Sequence, residues 1–396
     1  MTSRGDEPLD VFIVAGESSG DQLGAALMRE ISSARPNARF RGVGGPAMTG
    51  QGLASLFPMS DIAVMGFVPV LKRLPTVLAR IRATAEAVLA RPPDVLAIID
   101  SPDFTHRVAR RARAKNPAIP IVDYVSPTVW AWRPGRARKM RAYVDTLLAV
   151  LPFEPEAHRK LGGPSCVYVG HPLMEMLGEL RPQTANEFSA RDNAAAPTIL
   201  VMPGSRRSEI GRMLAAFGGA VALVAREYPK ADFVLPTVPH LEAEARAGVA
   251  SWPVAARVVV GDAEKFAAFR RARAALAKSG TLTLELALAG VPAVVGYKVP
   301  KLEEWIVKSL TDLREFVLPN LILGEKAVPG FLQEACNPQQ LSRTLLPLLR
   351  DGPERAAQLA ALARLDAIMR LPDGETPASR AAAIVIAQAE RGRARQ

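Results

Sequence analysis

Runs of Val, Ile, Leu and Ala, each closed by Gly, Pro or Asp, recur along the chain between longer segments whose apolar residues repeat with helical period. VFIVAG (residues 11–16), DVLAIID (94–100), IPIVDYV (119–125) and TLLAVLPF (146–153) form one set. TILVMPG (198–204), ADFVLPT (231–237), ARVVVGD (256–262), AALAKSG (274–280) and AVVGY (293–297) form a second. Continuous apolar runs, rather than apolar–polar alternation, predict strands covered on both faces, the condition of a parallel sheet. Helical segments at 20–33, 76–91, 206–227 and 263–274 fall between them, so the rhythm is β-α-β and the fold class α/β. The rhythm lapses over RPQTANEFSARDNAAAP (181–197), which reads as a linker, and then restarts with a strand, turn and helix like those of the opening. Two doubly wound domains are expected, 1–180 and 198–368, followed by a helical tail over 369–396 that packs back on the first.

Length agrees with this division, since 396 residues supply two domains that each bury a core. The net charge of +11 adds a preference for anions, which nucleic acid, an acidic membrane face and phosphorylated small molecules all satisfy. Cys166 and Cys336 are too few for a disulfide framework or a thiolate metal cluster, so a reducing cytoplasm is the expected compartment. The N-terminus lacks a signal pattern, and the longest apolar stretch, LALAGVPAVVGY, is broken by Pro292. Any membrane contact is expected to be peripheral.

The candidate chemistry lies in turns that follow strands, where open α/β sheets bind their ligands. In GESSGD (16–21), Ser18 stands where a dinucleotide turn needs its second glycine, and no Gly-Lys-Ser/Thr follows. Gly16 and Gly20 let a sugar approach the backbone, with Ser18, Ser19 and Asp21 beside it; Ser18-x-x-Asp21 also has capping-box spacing. PGSRR (203–207) opens a helix with free N–H groups beside two arginines, a diphosphate site of Gly204, Ser205 and Arg206, with Ser205 as helix cap the other reading. In KSGTLTLE (278–285), Ser279, Gly280 and Thr281 open a helix, and Glu285 one turn in can accept from paired ribose hydroxyls. In DSPDF (100–104), Asp100 or Asp103 can take a proton from an acceptor hydroxyl or cap the next helix, and spacing does not choose. YVSPTVWAWRPGRARKMRAY (124–143) joins two tryptophans to five cations, suiting an acceptor or membrane surface better than RNA. MGFVPVLKRLPTVL (65–78) is an apolar ridge interrupted by Lys72 and Arg73, consistent with an interfacial segment. The chain has no D-x-D pair, no metal-ligand spacing among its four histidines and no G-x-S-x-G elbow, so metal and serine-nucleophile chemistry are not expected.

Taken in order, GESSGD, MGFVPVL, DSPDF, YVSPTVWAWR, LPFE (151–154), VGHP (169–172), PGSR, SGTLTLE and LPNLI (318–322) resemble the lipid-A-disaccharide synthase family over nearly the whole chain. The resemblance implies two Rossmann-like doubly wound domains facing a cleft, the GT-B architecture. It also implies inverting transfer from UDP-2,3-diacylglucosamine to 2,3-diacylglucosamine 1-phosphate, giving a β-1,6 disaccharide 1-phosphate and UDP. Asp103 is then the base. Gly204, Ser205, Arg206, Ser279, Gly280, Thr281, Glu285 and Asn320 bind UDP, and Gly16, Ser18, Ser19, Asp21, Trp130, Arg133 and His171 serve the sugar and acyl end. The implied enzyme uses no metal or other cofactor, touches acidic lipid on the inner face of the cytoplasmic membrane and binds no nucleic acid; a homo-oligomer is compatible with the sequence. Pro69 and Gly330 stand where acidic residues are expected in many relatives. The alternative reading keeps the fold and makes the chain a soluble UDP-N-acetylglucosamine epimerase or hydrolase; a basic nucleic-acid-binding protein ranks last.

Overall fold

The computed structural model describes residues 8–62, 67–193, 195–299, 315–372 and 374–395, the backbone alone for 67–72 and 395. Two six-stranded sheets carry the fold, and every strand pairing in them is parallel. The first contains β1 (Asp10–Ala15), β2 (Arg39–Val43), β3 (Val95–Ile99), β4 (Ile121–Tyr124), β5 (Thr146–Ala149) and β6 (Ser165–Tyr168), in the order β2-β1-β3-β4-β5-β6. The second contains β7 (Thr198–Met202), β8 (Asp232–Thr237), β9 (Arg257–Val260), β10 (Ala272–Lys278), β11 (Ala293–Tyr297) and β12 (Gly330–Leu332), in the order β12-β11-β10-β7-β8-β9. This is the two-Rossmann-like-domain class. β1 shows why the strands read as unbroken apolar runs: Val11, Ile13 and Ala15 enter one core, Phe12 and Val14 the core on the opposite face.

The chain divides into two compact units, Met1–Pro172 with Leu371–Gln396, and Leu173–Arg370. The second unit is thus inserted into the first. The C-terminal helix Pro377–Arg395 delivers Ala381, Ala382, Val385, Ile386 and Ala389 into the core that also holds Leu27, Met28 and Ile31 of helix Ser18–Ala34.

Residues 181–197 are not a linker, which corrects the sequence reading. Thr184 caps helix Ala185–Asp192 by accepting from Glu187 N at 3.2 Å. Glu187 pairs with Arg270 at 2.6 Å, and Arg191 donates to the carbonyls of Ala289 and Phe269 at 2.9 and 2.6 Å. The polar residues that gave the segment a linker's composition are those that pin it to the second unit, and the passage between units falls at Pro172–Leu173 instead.

Three strands were not signalled by sequence: β2, β6 and β12. All three are sheet edges, where one side lacks a neighbour and the apolar run is short or interrupted, as in RFRGV. The helix expected over 263–274 ends at Arg271, because Ala272 opens β10, whose small residues are buried at the centre of its sheet. Helix Arg207–Glu227 is long and apolar enough to cross a membrane, yet its Met213, Phe217, Ala220, Val221 and Val224 pack into the second unit's core. Of the ridge expected at 65–78, residues 65 and 66 lie outside the described residues, as does the Pro69 side chain. Helix Phe67–Ala90 runs on through the rest, with Leu74 and Leu78 exposed.

Candidate active site

Strand order reverses between β1 and β3 in the first sheet and between β7 and β10 in the second. Turns leaving the carboxyl ends of strands at such a reversal diverge to opposite faces, opening the crevice where ligands of these sheets bind. The turns singled out from sequence are these four: 16–20 after β1, 100–103 after β3, 203–206 after β7 and 278–281 after β10.

In the first unit Ile99 is in register with both Ala15 and Tyr124, so three turns start side by side. Gly16 is required by closeness: a Cβ there would lie 2.5 Å from Ser101 Oγ. Ser19 Oγ donates to Asp100 Oδ2 at 2.9 Å, and the Ser101 N–H donates to Asp100 Oδ1 at 2.7 Å. The Asp100 carboxylate is therefore committed to joining two turns. Asp103, in the first turn of helix Pro102–Lys115, is 87 % exposed and, among the described residues, meets Arg136 alone, at 3.3 Å. Ser18, next to Ser19 in the sequence, is exposed on the β1 turn. Backbone strain gathers here as well. Of the five non-glycine residues at positive φ among the described residues, Asp100 (52°), Ser101 (47°), Val125 (81°) and Arg133 (54°) all follow β3 or β4. For a β-branched valine such a φ is a true outlier, and strain of this kind collects at functional sites.

Asp21 does not line this crevice, contrary to the sequence expectation. Its side chain is buried and accepts from the N–H groups of Gly45, Ala47 and Met48 at 2.8, 2.9 and 3.0 Å, capping helix Pro46–Gly50 rather than its own helix. Trp130 is half-buried, edge-on to Phe153, and its Nε1 donates to Glu154 Oε1 at 3.1 Å. Glu154, with His158 and its partner Ser126 (Nε2 to Oγ 2.8 Å), forms a buried polar frame under the YVSPTVWAW loop that sequence reasoning missed. The only signal was Glu154 closing LPFE. Burial pushes the Glu154 carboxyl up to about 7 and the His158 imidazole down to about 4. Arg133 is exposed over the Trp132 ring, and His171 is half-buried with burial lowering its pKa to about 4.

In the second unit Gly204 holds φ +125° and Gly280 φ +143°, both in the region that favours glycine. Ser205 caps nothing with its hydroxyl, so that reading is corrected; the N-cap of helix Arg207–Glu227 is Arg206. Glu209 takes the capping work instead. Its Oε2 accepts the Ser205 N–H at 3.2 Å and its Oε1 accepts from Lys278 Nζ at 3.0 Å, tying the β7 turn to the β10 turn across the strand reversal. Sequence reasoning passed over Glu209, though an acid three residues after an N-cap is the signal of such a brace. The Arg206 guanidinium remains 62 % exposed. Ser279 Oγ donates to Phe316 O at 2.7 Å and Thr281 is exposed. Glu285 lies 3.1 Å from Lys265, with burial raising its pKa against that charge.

Asn320 is also corrected. It is 3 % exposed, and its amide donates to Glu315 and Val328 O and accepts from Val328 N, so every polar atom is used in closing its own loop. Gly330 explains its departure from an acid: a Cβ there would meet the Phe316 ring at 2.6 Å.

The family model described as lipid-A-disaccharide synthetase matches residues 11–376. A lipid-A-disaccharide synthase from Nitrobacter hamburgensis is 55 % identical over 377 residues, 95 % of this chain and 94 % of that one. The chain belongs to the lipid-A-disaccharide synthase family. Membership makes it a glycosyltransferase of lipid A biosynthesis. Solved structures bear on the fold alone. UDP-GlcNAc 2-epimerase from Neisseria meningitidis bound to UDP-GlcNAc superposes with TM-score 0.62 at 12 % identity, covering 97 % of this chain and 100 % of that one. The calicheamicin glycosyltransferase CalG4 superposes with TM-score 0.60 at 16 % identity, covering 97 % and 99 %. The family's two-domain GT-B fold is common to these enzymes of different chemistry.

Proposed function

We propose that the chain moves the sugar of UDP-2,3-diacylglucosamine, with inversion, onto the 6-hydroxyl of 2,3-diacylglucosamine 1-phosphate. The observation that carries this reading is the contrast between two neighbouring carboxylates: Asp100 is spent on Ser19 and Ser101, whereas Asp103 is exposed at the strand reversal. Asp103 takes the proton of the acceptor hydroxyl, the freed oxygen attacks the anomeric carbon from the face opposite the nucleotide, and the bond to the diphosphate breaks. Negative charge gathers on departing UDP. The exposed Arg206 guanidinium, on a turn held open by Gly204, meets that charge, because Glu209 already takes the Ser205 N–H. Thr281 and Ser279 flank the same strand reversal, and Glu285 accepts from the ribose. Gly16, Ser18 and Ser19 shape the acceptor side, while Trp130, Arg133 and His171 lie on the following loops. Peripheral contact with acidic lipid is supported by Leu74 and Leu78, exposed one turn apart beside exposed Arg73.

The test is turnover with acylated donor and acceptor. Asp103→Asn is expected to lower kcat roughly 10³-fold, within the range for loss of a general base, with UDP affinity unchanged. Near-normal turnover in the variant removes Asp103 as base. Turnover by the wild type of non-acylated UDP-N-acetylglucosamine, with none of the acylated pair, replaces the reading with an epimerase or hydrolase.

A further inference from the structure

A cavity of about 750 Å³ in the first unit lies between helix Pro102–Lys115 and helix Gly135–Met140. Its charged lining is Asp103, Arg107, Arg110, Arg133, Arg136 and Lys139, five cations against one carboxylate. Asp103, Arg107 and Arg110 follow at i, i+4 and i+7 and so share one face of the first helix, as Arg136 and Lys139 at i and i+3 share one face of the second. Among the described residues Arg136 has an acidic partner, and that partner is Asp103 itself. Arg107, Arg110, Arg133 and Lys139 have no carboxylate at ion-pair distance among them. Tyr143 closes the cavity with its ring, and Arg110 stands 6.0 Å over it.

Like charges crowded into a concavity repel one another and raise the local concentration of anions. Dispersing them over the surface would avoid that cost, and the arrangement here does the opposite. Resting on the acceptor assigned above, we propose that this cavity is the subsite for the acceptor's phosphate monoester. A monoester brings close to two negative charges and three acceptor oxygens at neutral pH, which suits several guanidinium forks arranged around one point. Its arrival gives Arg136 a more highly charged partner than Asp103. The subsite and the proposed base share one cavity wall, so binding of the phosphate also fixes the sugar relative to Asp103.

The experiment uses the full chain and the triple variant Arg107→Gln/Arg110→Gln/Lys139→Gln, which leaves Asp103 and Arg136 in place. Two acceptors are compared, 2,3-diacylglucosamine 1-phosphate and its dephosphorylated analogue, along with NMR titration of soluble glucosamine 1-phosphate and flotation on phosphatidylglycerol vesicles. The expected result is a KM for the phosphorylated acceptor raised at least about a hundredfold, from loss of three cationic partners. The KM for donor and for the dephosphorylated acceptor stays unchanged, and the glucosamine 1-phosphate shifts disappear. An equal loss with both acceptors, or no preference between them in the wild type, overturns the subsite. Loss of flotation with acceptor KM intact also overturns it, by assigning the cations to lipid headgroups. If the wild type forms no disaccharide at all, the transferase reading fails, and the glucosamine 1-phosphate titration still decides the subsite on its own.

Discussion

Glu154 is a carboxyl whose pKa burial raises to about 7 even though two N–H groups, from Trp130 and Leu151, donate to it at 3.1 Å. Those donors favour the ionised form, so desolvation outweighs them. A shift from 4.5 to about 7 corresponds to about 3 kcal/mol. The sign follows from linkage: the folded pKa is raised, so the stabilising contribution is full below pH 4.5 and is lost as the pH rises through about 7. Whatever constant cost glutamine carries at this position, the difference in unfolding free energy between wild type and Glu154→Gln should change by about 3 kcal/mol between pH 4.5 and pH 8, in favour of the wild type at the acid end. Denaturant titrations across that range measure it; a difference flat with pH would mean Glu154 is ionised throughout. The neighbouring His158 works with the opposite sign, its lowered pKa giving stability present above pH 6.5 and lost as the pH falls through about 4.

Among elements, helix Pro46–Gly50 depends on a residue 24 to 27 positions away. Asp21→Ala leaves three N–H groups without their acceptor at a buried helix start, and hydrogen bonds to a charged group are worth about 1.5–3 kcal/mol each, so a loss on the order of 4 kcal/mol is expected. Urea unfolding gives the stability, and the acceptor KM in the folded fraction separates a cap from a ligand contact; a raised KM with stability intact would restore Asp21 to the sugar site. This case shows where sequence reading stopped. The strands and the four turns were legible because apolar runs and the Gly, Pro and Asp that close them are local. Asp21, Glu209 and Asn320 are polar residues near the starts of helices, and nothing local says whether such a group faces a ligand or a backbone N–H brought in by the fold. The same gap misplaced the linker, since Arg191 reaches carbonyls 78 and 98 residues away. Three of the four edge strands, β2, β6 and β12, were missed for a different reason, being short or interrupted where one side lacks a neighbour, whereas edge strand β9 keeps the apolar run VVV.

At the scale of the whole chain, inserting one unit into the other means the first unit is completed only by a segment that follows the second in the sequence. Val385 and Ile386 of the C-terminal helix are buried with Ala381, Ala382 and Ala389 against helix Ser18–Ala34, and Arg393 pairs with Asp94 at 2.6 Å. Exposing two large and three small apolar side chains costs on the order of 5 kcal/mol at the usual area coefficient, a large share of a domain's net stability. The second unit closes its own sheet and core without the tail, through Arg181 on Asp366 and Arg273 on the carbonyl of Leu349. A chain ending at Arg370 should therefore lose amide-exchange protection in β1, β3 and β4, while β7, β10 and β11 keep theirs. Hydrogen exchange with peptide resolution reads both sheets in one sample. Protection lost equally in the two would show that the units unfold as a single cooperative body, and protection retained in both would show that the tail's apolar face contributes little to the core it enters.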